Sequence, residues 1–70
     1  MTDKTSKYIA GKLKEHRIKR DLSQANLAKN AGMNSNYYAK IERGEIKPSI
    51  TTLEKIIKAL GAKSSDIFPF

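Results

Sequence analysis

The sequence predicts an all-α chain, a compact bundle of four to five short helices, and three observations carry that expectation. Apolar residues recur every three or four positions within segments bounded by Ser, Gly and Pro, the period of a helix with one buried side. The stretch SQANLAKNAGMNSNYYAKIERG, residues 23–44, divides at Gly32 into two short helical runs. With no cysteine and one histidine, disulfides and a Cys/His zinc site are excluded, so helix packing must hold the chain together. Seventy residues make a single small domain, near the lower limit for such a core and too small for a catalytic cleft of ordinary size.

Residues 1–4 are polar and expected to fray, although Lys4 and Lys7 could reach a phosphate. A first helix is expected over 5–20, where Ile9, Leu13 and Arg17 fall on one line with Tyr8 and Ala10 beside it. Gly11 weakens it by roughly 1 kcal/mol relative to Ala and reads as tolerated. Lys12, Lys14, Lys19, Arg20 and His16 read as solvated surface. Ser23 can cap a second helix over 24–31, in which Leu27 and Ala31 form a stripe with small Ala28 beside it, allowing a close helix crossing. Gly32 then takes the sharp turn, where positive φ carries no steric penalty.

Asn34 or Ser35 can cap a third helix over 35–43, with Met33, Tyr38 and Ile41 turned inward. Gly44 stops it, and Pro48 forbids helix at Lys47. Ser49 caps a fourth helix over 50–60, whose Ile50, Leu53, Ile56, Ile57 and Leu60 make the strongest core stripe in the chain. Gly61 ends it. Ser64 or Ser65 can begin a short fifth helix over 64–68, and the closing Phe68-Pro69-Phe70 either caps the core or meets a second subunit.

The net charge of +7 and pI near 9.9 favour a polyanionic partner, nucleic acid first, although lysines also serve plain solubility. The third helix gives that charge a shape. Asn36, Lys40 and Arg43 line its outward side, and Asn34, Ser35, Asn36 and Lys40 carry groups suited to base edges, Asn to adenine and Lys to guanine. Tyr37 either reaches a phosphate or thymine methyl or is a half-buried rim aromatic, Arg43 serves the helix dipole or a phosphate, and Lys47 is a backbone-contact candidate. No long apolar run or secretion signal is present, so a cytoplasmic protein without a membrane partner is expected. Scattered carboxylates and one histidine assemble neither acid and base nor nucleophile and base, so no enzyme, cofactor or metal is expected.

The ordered set Ser23-Gln24, Leu27-Ala28, Gly32, Ile41-Glu42-Arg43-Gly44, Pro48-Ser49 and Leu60-Gly61 resembles the helix-turn-helix of phage Cro and C1 repressors and the bacterial regulators built like them, the XRE family. The resemblance spans roughly residues 9–67. Tyr38 departs from the pattern, which more often has an aliphatic residue there, and this bears on how tightly the helices pack. The resemblance implies a lambda-repressor-like bundle with the helix-turn-helix at helices 2 and 3. It further implies an Arg17 to Glu42 ion pair between helices 1 and 3, a Gln24 that contacts a phosphate and braces the recognition helix, and a dimer contact near Ile67, Phe68 and Phe70.

The expected function is a sequence-specific regulator, dimeric on double-stranded DNA, that places helix 3 in the major groove of a near-palindromic operator. An interaction module of the same fold, an antitoxin holding a toxin or a coactivator for another regulatory protein, is the alternative.

Overall fold

The computed structural model describes residues 4–69, and five α-helices account for most of them: α1 (Lys4–Lys19), α2 (Gln24–Asn30), α3 (Ser35–Glu42), α4 (Ile50–Leu60) and α5 (Ser64–Ile67). No strand occurs among the described residues. α2 packs on α3 and α4, while α1 packs on α3 and α5. Lys4, placed by sequence in a frayed end, already belongs to α1.

Side chains and glycines set the boundaries. Ser23 Oγ accepts the Asn26 N–H at 3.0 Å and Ser49 Oγ accepts the Thr52 N–H at 3.1 Å, so each satisfies an orphan donor of a first turn. For α3 the cap is Asn34, whose Oδ1 accepts from the N–H groups of Asn36 at 2.8 Å and Tyr37 at 3.2 Å. α5 starts differently: Asp66 Oδ2 reaches back to the Lys63 N–H at 3.0 Å.

At their other ends α1 to α4 close in Schellman turns. After α2, Met33 N–H donates to Ala28 O at 2.9 Å with Gly32 at φ +73°; after α3, Glu45 N–H donates to Lys40 O at 2.9 Å with Gly44 at φ +75°. α1 makes the same turn, Leu22 N–H to Arg17 O at 3.2 Å, through Asp21, a non-glycine residue at φ +57°, and stops a residue short of the expected end. Ala31, Arg43 and Phe68, expected as last helical residues, are the C-caps of α2, α3 and α5.

The buried core draws Ile9 and Leu13 from α1, Leu27 and Ala28 from α2, Tyr38 and Ile41 from α3, Leu53, Ile56, Ile57 and Leu60 from α4, and Ile67 from α5. One member of the expected α4 stripe is missing. Ile50 is 68% exposed, because it sits at the first position of the helix and the packed stripe starts a turn later at Leu53. Met33 is half-buried against the core rather than inside it, and Tyr8 is exposed with Lys12 Nζ 5.7 Å from its ring centre. Ser6, unremarked in the sequence, is buried.

Two glycines separate space from backbone conformation. Gly11 lies in mid-helix with open space where a Cβ would stand, whereas a Cβ on Gly44 would meet the Lys7 side chain at 3.5 Å and sit on a left-handed backbone. Gly11→Ala is expected to raise stability by about 0.5–1 kcal/mol, and Gly44→Ala to lower it by about 1 kcal/mol or more. Thermal melts followed by circular dichroism check both signs.

Candidate nucleic-acid interface

α3 is divided lengthwise by burial. Tyr38, Ile41 and Glu42 are buried, and Ser35, Asn36, Tyr37 and Lys40 are exposed, as are the flanking Asn34 and Arg43. An eight-residue helix with one apolar side held this way has its polar side presented outward by the bundle itself.

What holds α3 in that rotation is an ion pair under its buried side. Arg17 Nε donates to Glu42 Oε2 and Arg17 Nη2 to Glu42 Oε1, both at 2.9 Å, a bidentate pair in which the Glu42 side chain is 2% exposed. The third guanidinium nitrogen, Nη1, donates to the Leu22 carbonyl at 2.6 Å, fixing the loop between α1 and α2. Gln24 Nε2 adds a hydrogen bond to Glu42 Oε1 at 3.1 Å. One carboxylate thus joins α1, α2 and α3.

Burial pushes the Glu42 carboxyl up, but the Arg17 hydrogen bonds, then the adjacent Tyr38 hydroxyl, Gln24 and the Arg17 charge, outweigh it and hold the group below its ordinary value. Burial, followed by the neighbouring Glu42 carboxylate, drives the Tyr38 phenol far above its usual range, so it stays protonated. Its hydroxyl is buried beside this network without closing a hydrogen bond of good geometry. Tyr38, the departure from the resemblance, therefore packs fully, and its oxygen lies against the Arg17, Gln24 and Glu42 cluster.

The expected contact residues separate into groups. Ser35, Asn36, Tyr37 and Lys40 share the exposed side of α3. Asn34 is exposed, but its carbonyl oxygen is engaged by two α3 amides, leaving its Nδ2 as donor. Gln24 is half-buried and braced on Glu42. Lys47 emerges from the α3–α4 loop beside Pro48 and Ile50. Arg43 is exposed and forked on Glu45, Nε to Oε2 at 2.6 Å and Nη2 to Oε1 at 3.3 Å. Glu45 went unnoticed in the sequence; its signal was the spacing Arg-Gly-Glu, since a Schellman turn at the glycine brings the two flanking side chains together.

Of the residues expected at a dimer contact, Ile67 requires correction. It is 0% exposed, because α5 is short and docks on the bundle through this side chain, so it has no surface to offer a partner. Phe68 is half-buried and borders two apolar grooves that meet at exposed Ile50. Phe70 lies outside the described residues. Among the described residues no group of three or more His, Cys, Asp or Glu is placed to hold a metal ion, and no helix is long and apolar enough to cross a membrane.

A bundle of short helices in which a capped, glycine-turned pair offers one polar helix side defines the helix-turn-helix class, and the chain belongs to the Cro/C1-type helix-turn-helix family, whose model matches residues 13–68. It is 39% identical over 59 residues to the immunity repressor protein of Bacillus phage phi105, across 84% of this chain and 41% of that one, so it spans less than half of that relative. It is 41% identical over 61 residues to control protein C.MunI of Mycoplasma sp., across 86% of this chain and 82% of the relative. Among solved structures, the restriction-modification controller protein C.AhdI from Aeromonas hydrophila superposes with a TM-score of 0.86 at 28% identity, covering 90% of this chain and 96% of that one.

Removing one partner of a buried pair strands the other's charge. Arg17→Met is expected to lower stability by about 3 kcal/mol, with much of that loss recovered when Glu42→Leu is added, because the double change leaves no charge buried. Urea unfolding of the single and double variants measures this.

The depressed Glu42 carboxyl also sets a pH window. Its contribution is fully present above the ordinary value of 4.5 and is lost as pH falls through the lower folded-state value. Melting temperature across acid pH should therefore fall less steeply in Glu42→Gln than in the unaltered protein; equal slopes would remove Glu42 as the group responsible.

Proposed function

We propose that the protein is a sequence-specific, double-stranded DNA-binding transcriptional regulator that acts as a dimer and inserts α3 into the major groove. The observation that carries this reading is the lengthwise division of α3, one side buried and the other polar, basic and unobstructed, on a chain of net charge +7. Ser35, Asn36 and Lys40, with the Asn34 Nδ2 donor, are the base-reading groups, and Gln24, Tyr37, Arg43 and Lys47 meet phosphates. Bracing by Glu42 suits the role given to Gln24, since one of its amide hydrogens is anchored and the other stays available. The repressor and control proteins named among the relatives support regulation rather than catalysis.

Size supports the dimer. The chain measures 26 × 23 × 20 Å and carries one recognition helix, so reading two half-sites about 34 Å apart requires two copies. The apolar surface around Ile50 and Phe68 is the face we assign to that contact, with Glu54 and Lys58 on its border able to pair across a two-fold axis.

Selection of binding sites from a random duplex pool tests the whole reading, because the enriched motif reports specificity, symmetry and half-site spacing together. An inverted repeat with half-sites about one helical turn apart is expected. Asn36→Ala and Lys40→Ala should each relax preference at one position and weaken binding by about 1–3 kcal/mol, whereas Arg43→Ala should weaken all sequences alike. An unchanged motif in both α3 variants would overturn the base-reading assignment. Absence of any salt-sensitive binding would instead favour a protein-interaction module.

A further inference from the structure

Glu45 is an acidic group set among the cations of the proposed DNA surface. Both of its oxygens are engaged by Arg43, at 2.6 Å and 3.3 Å. Its own N–H is tied to the Lys40 carbonyl at 2.9 Å, which keeps the carboxylate at the end of α3. The Arg43 hydrogen bonds and charge, with a smaller contribution from Lys40, hold its carboxyl below the ordinary value, so it is ionised at neutral pH.

Folding gains little from this pair. Both side chains are about half exposed, and a solvent-screened pair of that kind adds little to stability. The larger effect is on charge. Arg43 would otherwise stand free at the C-terminal end of the recognition helix, where a phosphate is the natural acceptor for a guanidinium fork. A carboxylate presents the same two-oxygen acceptor, and in this chain it is already in place.

We infer that Glu45 limits DNA affinity: its carboxylate occupies the Arg43 fork in the free protein and competes with a DNA phosphate for it. The inference rests on the DNA-binding reading above. A free arginine that neutralises a phosphate releases about one condensed counterion. An arginine that exchanges a carboxylate for a phosphate leaves the carboxylate bare beside the backbone, where it draws a cation back. Net release from this contact is therefore close to nil. The brake acts on backbone affinity, so it applies to every sequence alike.

The test is a charge cycle on the full chain: Glu45→Gln, Arg43→Ala, the double variant, and Glu15→Gln as a control that removes the same charge from α1. Binding to a selected site and to random duplex is followed by fluorescence anisotropy at about 50 and about 200 mM salt. Glu45→Gln is expected to tighten both duplexes about threefold to tenfold at the lower salt and to steepen the log–log salt slope by about one. Arg43→Ala should loosen both, and the double variant should return to within about twofold of the unaltered protein, because the two changes cancel in charge. Glu15→Gln should stay within about twofold.

Unchanged or weaker binding by Glu45→Gln would overturn the inference, since Glu45 would then be holding Arg43 in its contact geometry. Equal tightening by Glu15→Gln would also overturn it, by making total charge sufficient. Failure of every variant to bind in a salt-sensitive way would overturn the DNA-binding reading itself, a result distinct from either of these.

Discussion

The bidentate contact of Arg17 with Glu42 is the constraint on which the arrangement of the first three helices depends. A carboxylate with 2% of its side chain exposed is tolerable only while it is paired, so conformations that separate α1 from α3 leave a stranded charge and are disfavoured. Dispersion and apolar burial would accept several rotations of a short helix about its own axis. The ion pair accepts few. By fixing Glu42 inward, it also fixes the line through Asn36, Lys40 and Arg43 outward, and a structural pair thereby decides which groups meet a partner.

The same economy of groups runs through the caps. Asn34 stands at the start of the recognition helix with an amide that could read a base, yet its oxygen is engaged by two backbone N–H groups. Gln24 is similarly divided between Glu42 and solvent. Polar side chains near the helix ends serve the fold first: Asn34 satisfies two orphan amides of α3, and Gln24 braces the buried Glu42 carboxylate. Among the residues proposed to read bases, Ser35, Asn36 and Lys40 carry no such capping or bracing bond.

The molecule offers two surfaces of different character. The cations of α3 and the loop after it gather on the side proposed for DNA, moderated there by Glu45. Ile50 and Phe68 frame apolar grooves between α1, α4 and α5, the surface proposed for a second copy. Lys47 lies where the two surfaces adjoin.

Much of this was legible in the order of residues. Helix periods, the capping side chains at Ser23 and Ser49, and glycine at the ends of α2, α3 and α4 are local features, governed by contacts within a few positions, so the sequence by itself determined the five helices and their approximate ends. The polar side of α3 followed from the same period. Ile50 and Ile67 were read in reverse, one as core and one as surface, because a helical stripe says which residues share a side but not where along the helix the neighbouring elements begin and end. The capture of Gln24 by Glu42, 18 residues further along the chain, was likewise settled by tertiary structure. It is a competition among polar groups for one buried carboxylate, and its outcome depends on distances that exist only once the helices have packed.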